Sequence, residues 1–338
     1  MSGANWTFER LTQLSTGYWL SAALNAAVRL NLFAFIAPSG TAAEEVAQQA
    51  GTDPEMTRLL LDALAGAGLL IHESGRYHLD PSARPFLDPN APDNLLDALR
   101  YNGDLYPLWG QLDTAVRLGR PAQTPQAHLG GDPDRTRRFV KGMHSRGRAV
   151  APLLIPALDF PPRGRLLDVA SGPGVFSLTF AVHHPELQVT LFDLPPILDA
   201  VRGVLLENPI PVPVTFHPGD YHRDALPTGF DALLFCGALH QETPASIPAL
   251  FAAFHRALQP GGRLILADFL LDPSRTNPLF SVLFGLNMRL LRPAAHVFDE
   301  RELRDALTRA GFADLRFAQP AHCPYRVLQA RRDEPAGR

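Results

Sequence analysis

From about residue 164 onward, short apolar runs alternate with longer segments of helical spacing. The runs are 165–169, 188–192, 214–217, 232–236 and 263–267, with helical stretches such as 246–258 between them. Each run is nearly continuous in apolar character, as expected of strands covered on both faces. The pattern predicts an α/β fold, a Rossmann-like parallel sheet with helices on both sides. Residues 1–100 have a different texture, of short helices followed by a hairpin. Thr41, ahead of Ala42-Ala43-Glu44-Glu45, predicts a capped helix start with acid in the first turn. Asp53-Pro54-Glu55 predicts a second start, with Asp as the cap and Pro at the first helical position. Leu59, Leu60, Ala63, Leu64 and Ala67 form the apolar stripe of that helix, and Gly68 ends it. Residues 69–72 and 76–79, joined through Glu73-Ser74-Gly75, predict a β-hairpin. Helix, helix, hairpin is the order of a winged helix. Residues 94–158 read as mostly helical, broken by a Pro/Gly-rich stretch over 119–133. The expected organisation is a winged-helix domain over 1–100, connecting helices over 101–160, the sheet domain over 161–331 and a tail over 332–338.

Composition narrows the class. A chain of 338 residues with 46% apolar and 19% charged residues can bury a core, and its length suits one large or two modest domains. No apolar run reaches membrane-spanning length, and Met1 to Trp6 carry neither a basic start nor a signal-type block. A cytoplasmic protein without a membrane partner is expected. The net charge of −3 argues against nucleic acid as the partner. The helix after Asp53 carries Arg58 but also Glu55 and Asp62, so it is not the basic face that DNA reading requires. The two cysteines, Cys236 and Cys323, lack metal-ligand spacing, so neither a metal site nor a disulfide is expected. Lys141 is the only lysine among 31 basic residues, which removes Schiff-base chemistry and a P-loop lysine.

The chemistry-bearing motif is Asp168-Val169-Ala170-Ser171-Gly172-Pro173-Gly174, leaving one strand and entering a helix. Gly172 and Gly174 allow a ligand to approach the backbone at a helix N-terminus. Asp193, followed by Leu194, ends the next strand, where an acid can accept from both ribose hydroxyls of an adenosine cofactor. Taken alone, the two glycines are equally accounted for by a plain turn. Ser177 stands where a dinucleotide fingerprint would place its third glycine. Asp220, after Gly219, is placed to meet an adenine amine.

Taken together, Asp-Val-Ala-Ser-Gly-Pro-Gly, Phe-Asp-Leu-Pro, Gly-Asp, Leu-His and Leu-Gln-Pro-Gly-Gly-Arg-Leu resemble class I S-adenosylmethionine (SAM) methyltransferases. More narrowly, the chain is similar over nearly its whole length to small-molecule O-methyltransferases of the caffeic-acid, hydroxyindole and bacterial polyketide type. The resemblance implies SAM as cofactor, with S-adenosylhomocysteine as product, and a small-molecule acceptor. It also implies a homodimer formed through the N-terminal domain. It places Asp168, Gly172, Gly174, Asp193, Leu194, Asp220, Tyr221 and Cys236 at the cofactor. It makes His240 the general base and Asp268 the acid that orients it. A phenol ionises near pH 10 and a histidine titrates at about 6.5, so a histidine can take the acceptor proton at neutral pH. In this sheet the strands ending at Cys236 and Ala267 are neighbours, which brings His240 and Asp268 to one edge. The implied acceptor pocket holds Trp109, Met143, Phe284, Asn287 and Met288, with Tyr106, Phe139 and Phe280 nearby. Three departures stand out. Ala170 replaces the usual first glycine, Cys236 stands where many relatives carry a basic residue, and Val297 stands where a second orienting acid is usual. His296, next to it, is a candidate substitute. These departures leave open C- or N-methylation, or SAM binding without methyl transfer.

Overall fold

The computed structural model describes residues 5–122, 131–207 and 209–333. The expectations for residues 1–4, for 123–130 of the Pro/Gly-rich stretch and for 334–338 of the tail lie outside the described residues. By internal contacts the chain divides after Leu105, into Met1–Leu105 and Tyr106–Arg338.

The first unit contains α1 (Phe8–Thr16), α2 (Tyr18–Arg29), α3 (Ala43–Ala50), α4 (Pro54–Gly66), β1 (Leu70–Glu73), β2 (Arg76–Leu79) and α5 (Arg84–Leu87), and α6 (Leu96–Trp109) begins in it. α4 starts as its sequence requires: the Asp53 carboxylate accepts from the Met56 amide, and Pro54 opens the helix. The hairpin turns on Ser74 and Gly75, both left-handed (φ 51° and 76°), the two-residue geometry that matches strand twist. Leu32, Phe33, Val46, Leu61, Leu64 and Tyr77 form the core of the unit.

Two local expectations are corrected here. Thr41 does not cap α3. Its hydroxyl accepts from the Ala37 amide (2.9 Å), and its backbone pairs with Tyr77 in a single antiparallel bridge beside β2. The buried face of α4 is Thr57, Leu61 and Leu64, with Leu60 packed against the same core, so Leu60 and Leu64 of the expected stripe face inward while Leu59, Ala63 and Ala67 are exposed. Both apolar spacings fit a 3.6-residue period, and the packing against α2 and β1 decides between them. Arg58 is paired with Asp62 at 2.8 Å, which neutralises the cation of that helix.

The second unit adds α7 (Leu112–Leu118), α8 (Pro133–Leu154), β3 (Gly164–Val169), α9 (Val175–Val182), β4 (Leu187–Asp193), α10 (Pro195–Glu207) and β5 (Val214–Pro218). After these come β6 (Phe230–Cys236), α11 (Ile247–Ala257), β7 (Leu258–Asp268), α12 (Leu279–Leu291), α13 (Glu300–Arg309), β8 (Phe312–Ala318) and β9 (Arg326–Arg332). The seven-stranded sheet runs β5-β4-β3-β6-β7-β9-β8. The five strands read from the apolar runs pair in parallel. The sheet is mixed rather than all parallel, because β9 pairs antiparallel with β7 and β8 antiparallel with β9. β8 alternates partly buried and exposed residues after Phe312, and β9 ends in Arg331-Arg332, so neither shows the continuous apolar run of a doubly covered strand. The Gln259-Pro260-Gly261-Gly262 segment lies within β7, where the register with β6 shifts.

Strand residues alternate between two cores. Leu167, Val169, Leu233, Phe235, Leu264 and Leu266 meet α11 and α13, while Leu166, Leu191, Ala232, Leu234 and Ile265 meet α8, α9 and α10. Strand order reverses between β3 and β6, which opens a crevice at their carboxyl ends. Among the described residues no helix is long and apolar enough to cross a membrane.

The corrected face of α4 is testable. Leu61→Ala is expected to lower the unfolding free energy of the first unit by about 2–5 kcal/mol, and Leu59→Ala by less than about 1 kcal/mol. Urea denaturation of the two variants checks this, and the reverse ranking would restore the original stripe.

Candidate active site

The loop leaving β3 is built on left-handed backbone. Ala170, Gly172 and Gly174 have φ of 52°, 50° and 67°. For Ala170 this conformation costs about 1–2 kcal/mol, which is why glycine is the easier residue there. A Cβ on Gly174 would lie 2.9 Å from the Leu191 methyls, whereas one on Gly172 would meet nothing within 4 Å. The space in front of Gly172 is therefore open, at the N-terminus of α9.

Asp193 closes this loop from the end of β4. One carboxylate oxygen accepts from the Gly172 amide (2.8 Å) and the other from the Leu194 amide (2.7 Å). Each oxygen keeps a lone pair, which suits the two hydroxyls of a ribose. Asp168, at the end of β3, is buried and accepts from the Ser177 hydroxyl at 2.5 Å. Ser177, set aside in the sequence as a poor third glycine, thus has a defined task. Burial pushes Asp168 up to about 8, with Ser177 opposing and the Asp193 charge adding to the rise. Burial pushes Asp193 up to about 6, against the pull of the two amides. No basic side chain contributes to either carboxylate among the described residues. An open cradle, paired acceptors at Asp193 and two acids without a cationic side-chain partner fit a nucleoside that brings positive charge of its own, as SAM does.

Around this pocket, Asp220 organises its own turn: it accepts from the His222 amide (3.0 Å), and its own amide donates to Asp224 (2.8 Å). The Tyr221 hydroxyl donates to Glu242 at 2.8 Å. Burial and the carboxylates of Asp268 and Asp168 hold the Cys236 thiol well above its usual range, so it stands as a neutral group at the end of β6.

The parallel register of β6 and β7 pairs Cys236 with Ala267. The turn after β6 then lies beside Asp268. His240 Nδ1 stands 2.9 and 3.1 Å from the two Asp268 oxygens, and the His240 amide donates to the same carboxylate at 3.2 Å. An ionised carboxylate can only accept, so Nδ1 carries the proton and Nε2 keeps its lone pair. Phe284 packs edge-on against the imidazole, with centroids 4.7 Å apart. Phe269 joins Phe284, Phe280 and Tyr325 in one aromatic cluster. The Tyr325 hydroxyl faces Gly237, where a Cβ would come within 3.6 Å of it.

Several sequence candidates meet in this unit. The Trp109 indole N–H donates to Asn287 Oδ1 at 2.9 Å, across 178 residues of sequence. Met288 is buried on α12, and Met143 is partly buried on α8, one turn before Gly147, which packs on Val175 at the start of α9. His296 does not replace the second acid: its ring bonds Glu302 (3.2 Å), which also completes the capping box of α13, while its amide donates to the His240 carbonyl (3.2 Å). Val297 is buried and apolar. Sequence reasoning missed Ser177, Glu242, Phe269 and Tyr325. Phe269 adjoins Asp268, and Glu242 lies two residues past His240, but nothing local marks either side chain as part of the site.

A family model described as the O-methyltransferase domain matches residues 109–313, and one described as the O-methyltransferase dimerisation domain matches residues 12–89. The chain is 31% identical to acetylserotonin O-methyltransferase of Rattus norvegicus, over 98% of this chain and 78% of that protein. It is 30% identical to the tetracenomycin polyketide synthesis 8-O-methyl transferase TcmO of Streptomyces glaucescens, over 90% and 91% of the two chains. The fold is similar to that of human N-acetylserotonin methyltransferase solved in complex with SAM, with a TM-score of 0.87, 24% identity and coverage of 98% and 99%.

The raised acids set the sign of a pH effect. A ligand with positive charge and hydroxyl donors favours the ionised forms of Asp168 and Asp193, so binding lowers both values from about 8 and about 6. Below those values protons must leave as the ligand enters, and affinity falls as pH drops. SAM titrations by calorimetry at pH 6, in buffers of different ionisation enthalpy, are expected to show net proton release. Proton uptake would contradict the assignment.

Proposed function

The chain belongs to the O-methyltransferase family, and from that premise we propose that it transfers the methyl group of SAM to a hydroxyl of a small aromatic or polyketide-like molecule, with His240 as general base. The observation that carries this reading is the His240–Asp268 pair, buried at the carboxyl edge of β6 and β7 beside the crevice at the ends of β3 and β6.

The chemistry that SAM supplies when bound is an electrophilic methyl group on a positively charged sulfur, with S-adenosylhomocysteine left behind. Asp193 would hold the ribose, and the Asp220–Tyr221 turn the adenine side. Asp168, behind the glycine loop, would offer negative charge to the cationic ligand. Cys236 would border the cofactor as a neutral wall where a basic side chain would add repulsion. His240 Nε2 would take the proton of the acceptor hydroxyl as that oxygen attacks. Asp268, bonded to Nδ1, would keep the imidazole in the productive tautomer and stabilise the imidazolium that forms. One carboxylate suffices for that orientation, which accounts for an apolar residue at Val297. Phe284, Phe269 and the Trp109–Asn287 pair support an aromatic acceptor, which flat aromatic walls hold over a large area. Most of the acceleration would come from holding oxygen, methyl and sulfur in line.

The reading includes a homodimer through the N-terminal unit. α1 buries no residue of its own, and Trp6, Phe8, Leu11, Leu14, Tyr18, Trp19 and Leu20 are all exposed along α1 and α2. A patch of this kind is characteristic of an interaction surface.

Two outcomes test these statements. With a phenol panel and mass analysis of the product, His240→Ala is expected to lower kcat by about 10²–10⁴-fold while leaving the SAM dissociation constant near wild type. Equal turnover by wild type and variant would remove the base assignment, and a product methylated on carbon or nitrogen would remove the hydroxyl. Sedimentation velocity is expected to show a species of twice 36.9 kDa, and the double variant Leu11→Asp/Leu14→Asp to shift it toward monomer. A wild-type monomer at micromolar concentration would end the dimer reading.

A further inference from the structure

Glu242 is buried with a fully covered side chain, yet no step of the proposed reaction uses it. Three hydrogen-bonding groups converge on its carboxylate. The Tyr221 hydroxyl donates to Oε1 at 2.8 Å, the Ser246 hydroxyl donates to Oε2 at 2.7 Å, and His222 Nε2 stands 3.3 Å from Oε1. The Glu242 amide closes the short turn that carries His240 by donating to the Leu239 carbonyl at 3.0 Å. The partners come from separate places: Tyr221 and His222 from the turn after β5, and Ser246 from the residue that precedes α11.

Burying a carboxylate costs several kcal/mol of lost hydration, and an apolar side chain of similar size would pack the same space more cheaply. What a carboxylate adds is direction, since two oxygens can hold several donors in a fixed arrangement. The Tyr221 ring is gripped between that carboxylate and Phe235 of β6, against which it packs edge-on with centroids 5.7 Å apart. Asp220 precedes Tyr221 in the same turn, which its own bonds to His222 and Asp224 close.

We propose that Glu242 is a positioning residue that ties the Asp220–Tyr221 turn on the adenine side of the cofactor to the His240 turn on the reacting side, through the Tyr221 hydroxyl. The proposal deepens the function given above and rests on its assignment of those two turns. Its consequence is that cofactor affinity depends on a carboxylate that does not itself touch the cofactor.

The test measures SAM and S-adenosylhomocysteine binding to the full-length protein by calorimetry, without acceptor. Glu242→Ala is expected to raise the SAM dissociation constant by about tenfold or more, as loss of a buried charge-assisted hydrogen bond does. Tyr221→Phe is expected to give a smaller rise in the same direction. Glu242→Gln keeps an oxygen for the Tyr221 hydroxyl and is expected to stay within about threefold of wild type. The double variant Tyr221→Phe/Glu242→Ala is expected to be no worse than Glu242→Ala alone, since coupled residues are not additive. If Glu242→Ala does not fold, Tyr221→Phe and Glu242→Gln carry the test. Variants that lose thermal stability yet bind SAM like wild type would overturn the proposal, as would multiplying effects in the double variant. Failure of the wild type to bind SAM would instead strike the proposed function.

Discussion

The parallel register between β6 and β7 is the constraint on which the candidate site depends. It sets Cys236 against Ala267, so that the turn after one strand stands beside Asp268 at the end of the other. The His240 ring and amide then reach the same carboxylate. A shift of one residue would reverse which face each side chain occupies, exchanging the buried Leu233, Phe235, Leu264 and Leu266 for the residues of the opposite core. The geometry of a hydrogen bond is thus held by the apolar packing of two layers of helices. α11 and α13 on one face, and α8, α9 and α10 on the other, make any other register costly.

The electrostatics follow from the same edge. Asp168, Asp193 and Asp268 lie at the ends of β3, β4 and β7, and Glu242 is buried in the turn after β6. They are treated differently. Asp268 has an imidazole against it, and Glu242 has Tyr221, Ser246 and His222. Asp168 and Asp193 have only a hydroxyl and backbone amides, and burial raises both. The protein therefore satisfies Asp268 and Glu242 from within, and under the proposed function Asp168 and Asp193 are left to be compensated by the cofactor. Among the described residues no basic side chain lowers either of those two carboxylates.

Much of the fold was legible along the chain. The five parallel strands, the hairpin, the Asp53 cap and the helix after Gly174 all rest on signals spanning a few residues, and the structure has them where they were expected. Where the reading failed, the local signal was ambiguous. The stripe of α4 has two registers that satisfy the same period, and Thr41 was suited equally to a cap and to an edge pairing. β8 and β9 lack the apolar continuity of the other strands. Within the candidate site, the positions of the glycines and of the acids at strand ends were legible because they follow from the strand pattern. Ser177, Glu242 and Tyr325 were not, because their surroundings come from elsewhere in the chain.

The sequence by itself determined the class of fold, the loop that Gly172 and Gly174 open to close approach, and the acids that end the strands. These are local matters, set by side-chain periodicity and by which residues tolerate a positive φ. Tertiary structure alone decided which of those groups meet. It joined Trp109 to Asn287 across 178 residues, brought His240 to Asp268, turned His296 away to Glu302 and gathered Tyr221, His222 and Ser246 onto Glu242. The reason is physical. Contacts between distant residues follow from strand register and from the packing of two cores, and those are cooperative properties that no short stretch of the chain contains.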